Sequence, residues 1–151
     1  MACICAEAEA HEKVGAGGLE QRRSAPLSSL IDSVTEAAVD GACLMAEQLR
    51  ATLIVVAAES GRSALALSNR RPIAPVLALT HSEEIARVLS LCWGVTALIL
   101  PGTPAAERVL TFGVDWATSR GLVRPGDHAI LLRGDVVNQS DTVSVIAGTI
   151  A

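Results

Sequence analysis

Aromatic side chains are almost absent from this 151-residue chain: it has no tyrosine, and Phe112, Trp93 and Trp116 are the full complement. A surface that stacks successive bases needs several such rings, so single-stranded nucleic acid is excluded as the main partner. Basic runs are missing as well, and the formal charge is −4, which argues against duplex nucleic acid and against an anionic membrane surface. The longest apolar runs are strand-sized, far short of the ~20 residues that a membrane-spanning helix requires. The four cysteines, Cys3, Cys5, Cys43 and Cys92, have neither a CxxC spacing nor histidines at ligand offsets, and no cleavable signal stands before them. Free thiols in a reducing cytoplasm are the expected state, with no metal bound. His11, His81 and His128 are scattered, with no nucleophile and acid at a recognisable spacing, so no catalytic set converges.

What the chain does have is aliphatic bulk. Half of it is apolar, enough for one domain to bury a core of Ala, Val, Leu and Ile without covalent staples. Met1 to Glu12 reads as a helix with few large apolar residues; Gly15 to Gly18, the polar run Glu20 to Ser24 and Pro26 form a link. The division is therefore 1–27, a helix plus linker, and 28–151, the folded domain.

From there the pattern alternates. Ser33-Val34-Thr35-Glu36 is spelled like a capping box, and Ala37, Ala38, Gly41, Ala42, Met45, Ala46 and Leu49 recur at helical spacing. Leu53 to Ala57 shows no polar alternation, as expected of a parallel strand buried on both faces. A helix over Ser63 to Asn69, a strand over Val76 to Leu79, a helix over Ser82 to Leu91 and a strand over Val95 to Leu100 follow. Pro104 opens a longer helix that stops at Gly121. Two strands, Ala129 to Leu132 and Thr142 to Ile146, then flank a loop from Gly134 to Ser140 that is short enough for a hairpin. The expected fold is α/β, with three layers, α/β/α, around a mixed, mostly parallel sheet of about five strands.

The most informative stretch is Glu59-Ser60-Gly61-Arg62-Ser63, a polar turn between the first buried strand and the helix after it. The first N–H groups of a helix lack internal partners and carry partial positive charge, so an anion is welcome there. Gly61 permits close backbone approach, Ser60 and Ser63 add hydroxyl donors, and Arg62 adds a planar fork. The alternative is a helix start capped by Ser60 or Ser63, with Arg62 in solvent. Arg70, Arg71 and Arg87 are read as solvated helix-end cations or as steering charges for that turn. Asp127, after Pro125-Gly126, is read as a turn former, and Trp93 and Trp116 as core or interface anchors.

These segments carry a colinear resemblance. Met1 to Glu9, the Thr35-Glu36-Ala37 helix start, Glu59 to Ser63, Arg71-Pro72, Ala74 to Thr80, Arg87, Gly94-Val95 and Gly121-Leu122 through Gly126-Asp127 together resemble the C-terminal part of pyruvate kinase, of a bacterial type. The resemblance implies a C-terminal effector-binding and assembly domain of a cytoplasmic, tetrameric glycolytic enzyme that moves a phosphoryl group from phosphoenolpyruvate to ADP. It also implies that this segment contains no catalytic residue and no cofactor, because magnesium and potassium belong to a barrel domain of which only the last helix, Met1 to Glu12, would be present. Alone, the chain is then expected to be inactive, and its partners are that barrel, further copies of itself and a phosphorylated effector.

Matched residue by residue, Ser60, Gly61, Arg62 and Ser63 fall on the family's loop around an effector phosphate. Gly134 and Asp135 fall on the second side of that site. Glu59 stands where fructose-bisphosphate-activated relatives carry lysine, which points to a sugar monophosphate or a nucleotide monophosphate. The alternative is a free-standing anion-binding module of the same fold without catalysis.

Overall fold

The computed structural model describes residues 33–100, 106–137 and 140–150. The expectations for Met1 to Glu12, for the linker and for Pro104 lie outside these residues. In order, the elements are α1 (Ser33–Leu49), β1 (Leu53–Ala57), α2 (Arg62–Arg70), β2 (Val76–Thr80), α3 (Glu83–Leu89), β3 (Val95–Ile99), α4 (Ala106–Ser119), β4 (His128–Val137) and β5 (Ser140–Thr149). The five strands form one sheet in the order β3-β2-β1-β4-β5. β1 lies parallel to both β2 and β4, β2 lies parallel to β3, and β5 runs antiparallel beside β4. The continuous apolar run Leu53-Ile54-Val55-Val56 thus occupies the centre, where neither face meets water.

Because strand side chains alternate, the sheet has two separate cores. On one face Ile54, Val56, Val76, Ala78, Ile130 and Leu132 pack with Val39, Ala42 and Ala46 of α1, Ala64 and Leu67 of α2, and Leu89 of α3. On the other, Leu53, Val55, Leu77, Leu79 and Leu131 pack with Val109 and Ala117 of α4. The small residues on these helices stand in for aromatic filler by letting backbones come close. Gly113 shows how close: a β-carbon there would lie 3.0 Å from Val55 Cγ2 and 3.1 Å from Cγ1. A Gly113→Val substitution is expected to destabilise the domain by about 1–3 kcal/mol through overpacking. Urea unfolding checks this, and an unchanged midpoint would mean that α4 rides higher on the sheet.

Several details differ from expectation. β4 and β5 run ten residues each, so Gly134 and Asp135 are strand residues, paired with Val143 and Thr142, rather than loop residues. Glycine and aspartate are poor strand formers, but ladder hydrogen bonds need only backbone, and the β-branched Val136 and Val137 carry the strand onward. The capping-box spelling is not used as such: Ser33 already lies within α1, and the Glu36 carboxylate binds Arg70 at 3.0 Å. Trp93 is exposed and Trp116 half-buried at the margin of the α4 core. Arginines lie over both rings, Arg71 at 5.6 Å and Arg120 at 4.9 Å from the ring centroids. Cys43 is buried and Cys92 half-buried, and neither is joined in a disulfide.

Candidate functional site

Sheet order locates the site before any side chain does. The chain moves from β1 outward through β2 to β3, then returns to the opposite side of β1 to lay down β4 and β5. In open α/β sheets the crevice for a ligand opens beyond the carboxyl ends of the strands, where the strand order reverses. Ala58 to Gly61 leave β1 at that edge, and the Ala58 N–H donates to the Leu79 carbonyl at 2.8 Å, pinning the start of the turn to the end of β2.

The turn is shaped by Gly61. Its φ of 76° and ψ of −10° are left-handed, a region that side chains with a β-carbon disfavour. It is also buried against α3, where an added β-carbon would sit 3.2 Å from Ile85 Cγ2. Glycine is thus required both by conformation and by space. α2 begins at once, with the Leu65 N–H donating to the Gly61 carbonyl at 3.0 Å. No side chain caps the helix start. The Ser60 hydroxyl instead accepts from Arg62 Nε at 3.2 Å, so the alternative reading, a helix start capped by Ser60 or Ser63, is not what the structure shows. The amides of Arg62, Ser63 and Ala64 therefore open the helix without an intrahelical acceptor, at its positive end. Ser60 and Arg62 are exposed and Ser63 is half-buried. Chemically, this is a short run of donors of the kind that suits a tetrahedral oxyanion.

The four predicted residues thus fall at one junction, Ser60 and Gly61 in the turn and Arg62 and Ser63 as the first two residues of α2. Gly134 and Asp135 reach the same edge by a different route. Ala57 pairs with Arg133, so the next residues of β4 project beyond the end of β1 by ~3.3 Å each. Arg133 itself was missed by sequence reasoning, which ended the strand at Leu132. Only the register of β4 against β1, a long-range pairing, brings it to this edge. Glu59 lies exposed in the turn beside Ser60. Across β2, the Ser82 hydroxyl caps α3 by accepting from the Ile85 N–H at 3.4 Å, and Thr80 Oγ1 accepts from the Ser82 N–H at 3.2 Å.

The other arginines are elsewhere. Arg70 is neither solvated nor a steering charge: its side chain is 9% exposed and bridges Asp40 at 2.7 Å and Glu36 at 3.0 Å, tying α2 to α1. The hydrogen bond to Asp40 is the chief reason that its pKa is raised still further, desolvation working the other way. Arg71 lies over Trp93, and Arg87 pairs with Glu83 one turn back on the solvent side of α3. Asp127 does form its turn, Oδ2 accepting from the Arg124 N–H at 2.8 Å. Among the described residues no cluster of three His, Cys, Asp or Glu could hold a metal ion, and no helix is long and apolar enough to cross a membrane.

Comparison with known proteins gives a consistent result. The sequence family described as pyruvate kinase, alpha/beta domain, matches residues 36–147. Pyruvate kinase of Clostridium acetobutylicum is 35% identical over 106 residues, which is 70% of this chain and 22% of that protein. Pyruvate kinase PKLR of Homo sapiens is 39% identical over 121 residues, 76% of this chain and 21% of that protein. The chain therefore spans only about a fifth of the length of these curated relatives. Among solved structures, a Cryptosporidium parvum pyruvate kinase in complex with ADP superposes with a TM-score of 0.71 at 27% identity, covering 82% of this chain and 25% of that one.

Proposed function

This chain belongs to the pyruvate kinase family, and we propose that it serves as the C-terminal regulatory and assembly domain of such an enzyme, binding a monophosphorylated effector at the β1–α2 turn. The observation that carries this reading is the uncapped start of α2 behind the left-handed Gly61. Three helix amides with no intrahelical acceptor, the Ser60 and Ser63 hydroxyls and the Arg62 guanidinium provide for one phosphate group. The choice of a single phosphate follows from Glu59. A carboxylate a few ångströms from a phosphate repels it by roughly a kcal/mol or more, and Asp135 brings a second carboxylate-bearing residue to the same edge. Ribose 5-phosphate and AMP fit this balance better than a sugar bisphosphate.

In the longer protein, phosphoryl transfer from phosphoenolpyruvate to ADP belongs to the barrel, and this domain supplies effector response and contacts between subunits in a cytoplasmic oligomer. By itself the chain is inactive. Calorimetric titration of the chain with ribose 5-phosphate, AMP and fructose 1,6-bisphosphate tests the reading. Saturable binding of a monophosphate, with the bisphosphate weaker, is expected, and no pyruvate should form in a coupled assay. Absence of binding heat with all three ligands would overturn it.

A further inference from the structure

The two ends of α2 have different duties. Its start carries the donors behind Gly61, and its last residue, Arg70, lies ~12 Å further along the axis. There the guanidinium is held by two carboxylates of α1: Nε donates to Asp40 Oδ1 at 2.7 Å, and a terminal nitrogen donates to Glu36 Oε1 at 3.0 Å. Glu36 and Asp40 stand four residues apart and so share one face of α1. A planar fork held at two points fixes orientation as well as distance.

The rest of the α2 packing sets orientation less sharply. Ala64, Ala66 and Leu67 bury apolar surface, which is a non-directional attraction. One hydrogen bond, from the Ser68 hydroxyl to the Trp93 carbonyl at 2.8 Å, ties the helix on the β3 side. The Arg70 fork ties it on the other side, to α1.

α1 in turn belongs to the second half of the candidate site. It lies against β4 and β5, where Val39, Ala42 and Ala46 share a core with Ile130, Leu132 and the partly buried Val143. Val143 is the strand partner of Gly134. One helix therefore holds both sides: the β4–β5 hairpin by apolar packing, and α2 through Arg70.

We propose that Arg70 is a positioning residue for effector binding, its bridge to Glu36 and Asp40 setting the tilt of α2 and thereby the separation between the donor end of that helix and the β4 side of the site. This rests on the β1–α2 turn being the effector site. A ligand that reaches both sides depends on the separation, whereas a bare phosphate needs only the helix amides.

Arg70→Met tests it. Methionine replaces the buried stem with an unbranched apolar one, and the two carboxylates it releases are half-buried and still within reach of water, so the fold survives at a lower thermal midpoint. AMP and inorganic phosphate are titrated into the unsubstituted chain and the variant, with the amide signals of Gly61 to Ala64 followed by NMR. AMP affinity should fall at least tenfold, while phosphate affinity stays within about twofold. Asp40→Ala, which leaves Arg70 its bond to Glu36, should show the same selective loss to a smaller degree and serves if Arg70→Met does not fold. Asp40→Asn, which keeps an oxygen facing Nε, should bind AMP as the unsubstituted chain does. Equal loss of AMP and phosphate affinity would mean that Arg70 acts as a distant charge or only holds the fold, and unchanged AMP affinity would mean that the bridge does not reach the site; either result overturns the proposal and leaves the effector assignment standing. Failure of the unsubstituted chain to bind both ligands at this turn would remove the effector assignment, and the role of Arg70 with it.

Discussion

A Ser63→Asp variant is expected to lose the proposed monophosphate binding, with affinity falling at least a hundredfold, while the domain stays folded. Ser63 is the second residue of α2, where a carboxylate lies beside the amides that would hold the ligand. At ~4 Å and an effective dielectric of about 20, two unit charges repel by ~4 kcal/mol, and each ~1.4 kcal/mol is a factor of ten in affinity. The same carboxylate is favourable for the helix itself, by ~0.3–1 kcal/mol at its positive end. The thermal midpoint should therefore hold steady or rise as binding disappears, which separates loss of the site from loss of the fold. Calorimetry beside a thermal melt reads both, and an unchanged affinity would remove this turn as the binding site.

The second large effect is on stability. Leu67→Ala is expected to cost ~2–5 kcal/mol, because Leu67 is fully buried where α2 meets the sheet and its deletion leaves a cavity that a dense core cannot close. Against a total stability of ~5–15 kcal/mol for an ordinary domain, that is a substantial part. Leu65, two residues earlier and exposed, should tolerate alanine within ~0.5 kcal/mol. Urea unfolding of the pair measures the contrast. A Leu67→Ala loss below ~1 kcal/mol would show that α2 packs loosely, and with it the turn it carries.

Much of this architecture could be read from residue order because local signals agree with the final packing. The unbroken apolar run of β1, the small-residue spacing of α1 and the Pro125-Gly126-Asp127 turn each say the same thing locally and globally. The turn residues Ser60 to Ser63 were legible for the same reason: they sit between a strand and a helix that both announce themselves. What escaped depended on pairing over long distances. Glu36 looked like a capping residue until α2 brought Arg70 to it, thirty-four residues away. Gly134 and Asp135 looked like a loop because their composition says turn, whereas antiparallel backbone pairing keeps them in β4. Arg133 gains its place only from register with Ala57. For Trp93 the sequence left core and interface open, and its exposure follows from a place in the fold that composition does not record.

Gly61 rests on Ile85 and Leu89 of α3, and the far end of that seven-residue helix carries Val88 and hands the chain on to Leu91. A methyl on Gly61 would come within 3.2 Å of the Ile85 side chain, so only a glycine lets the β1–α2 junction lie this close to α3, and any larger residue there would have to be accommodated by that helix.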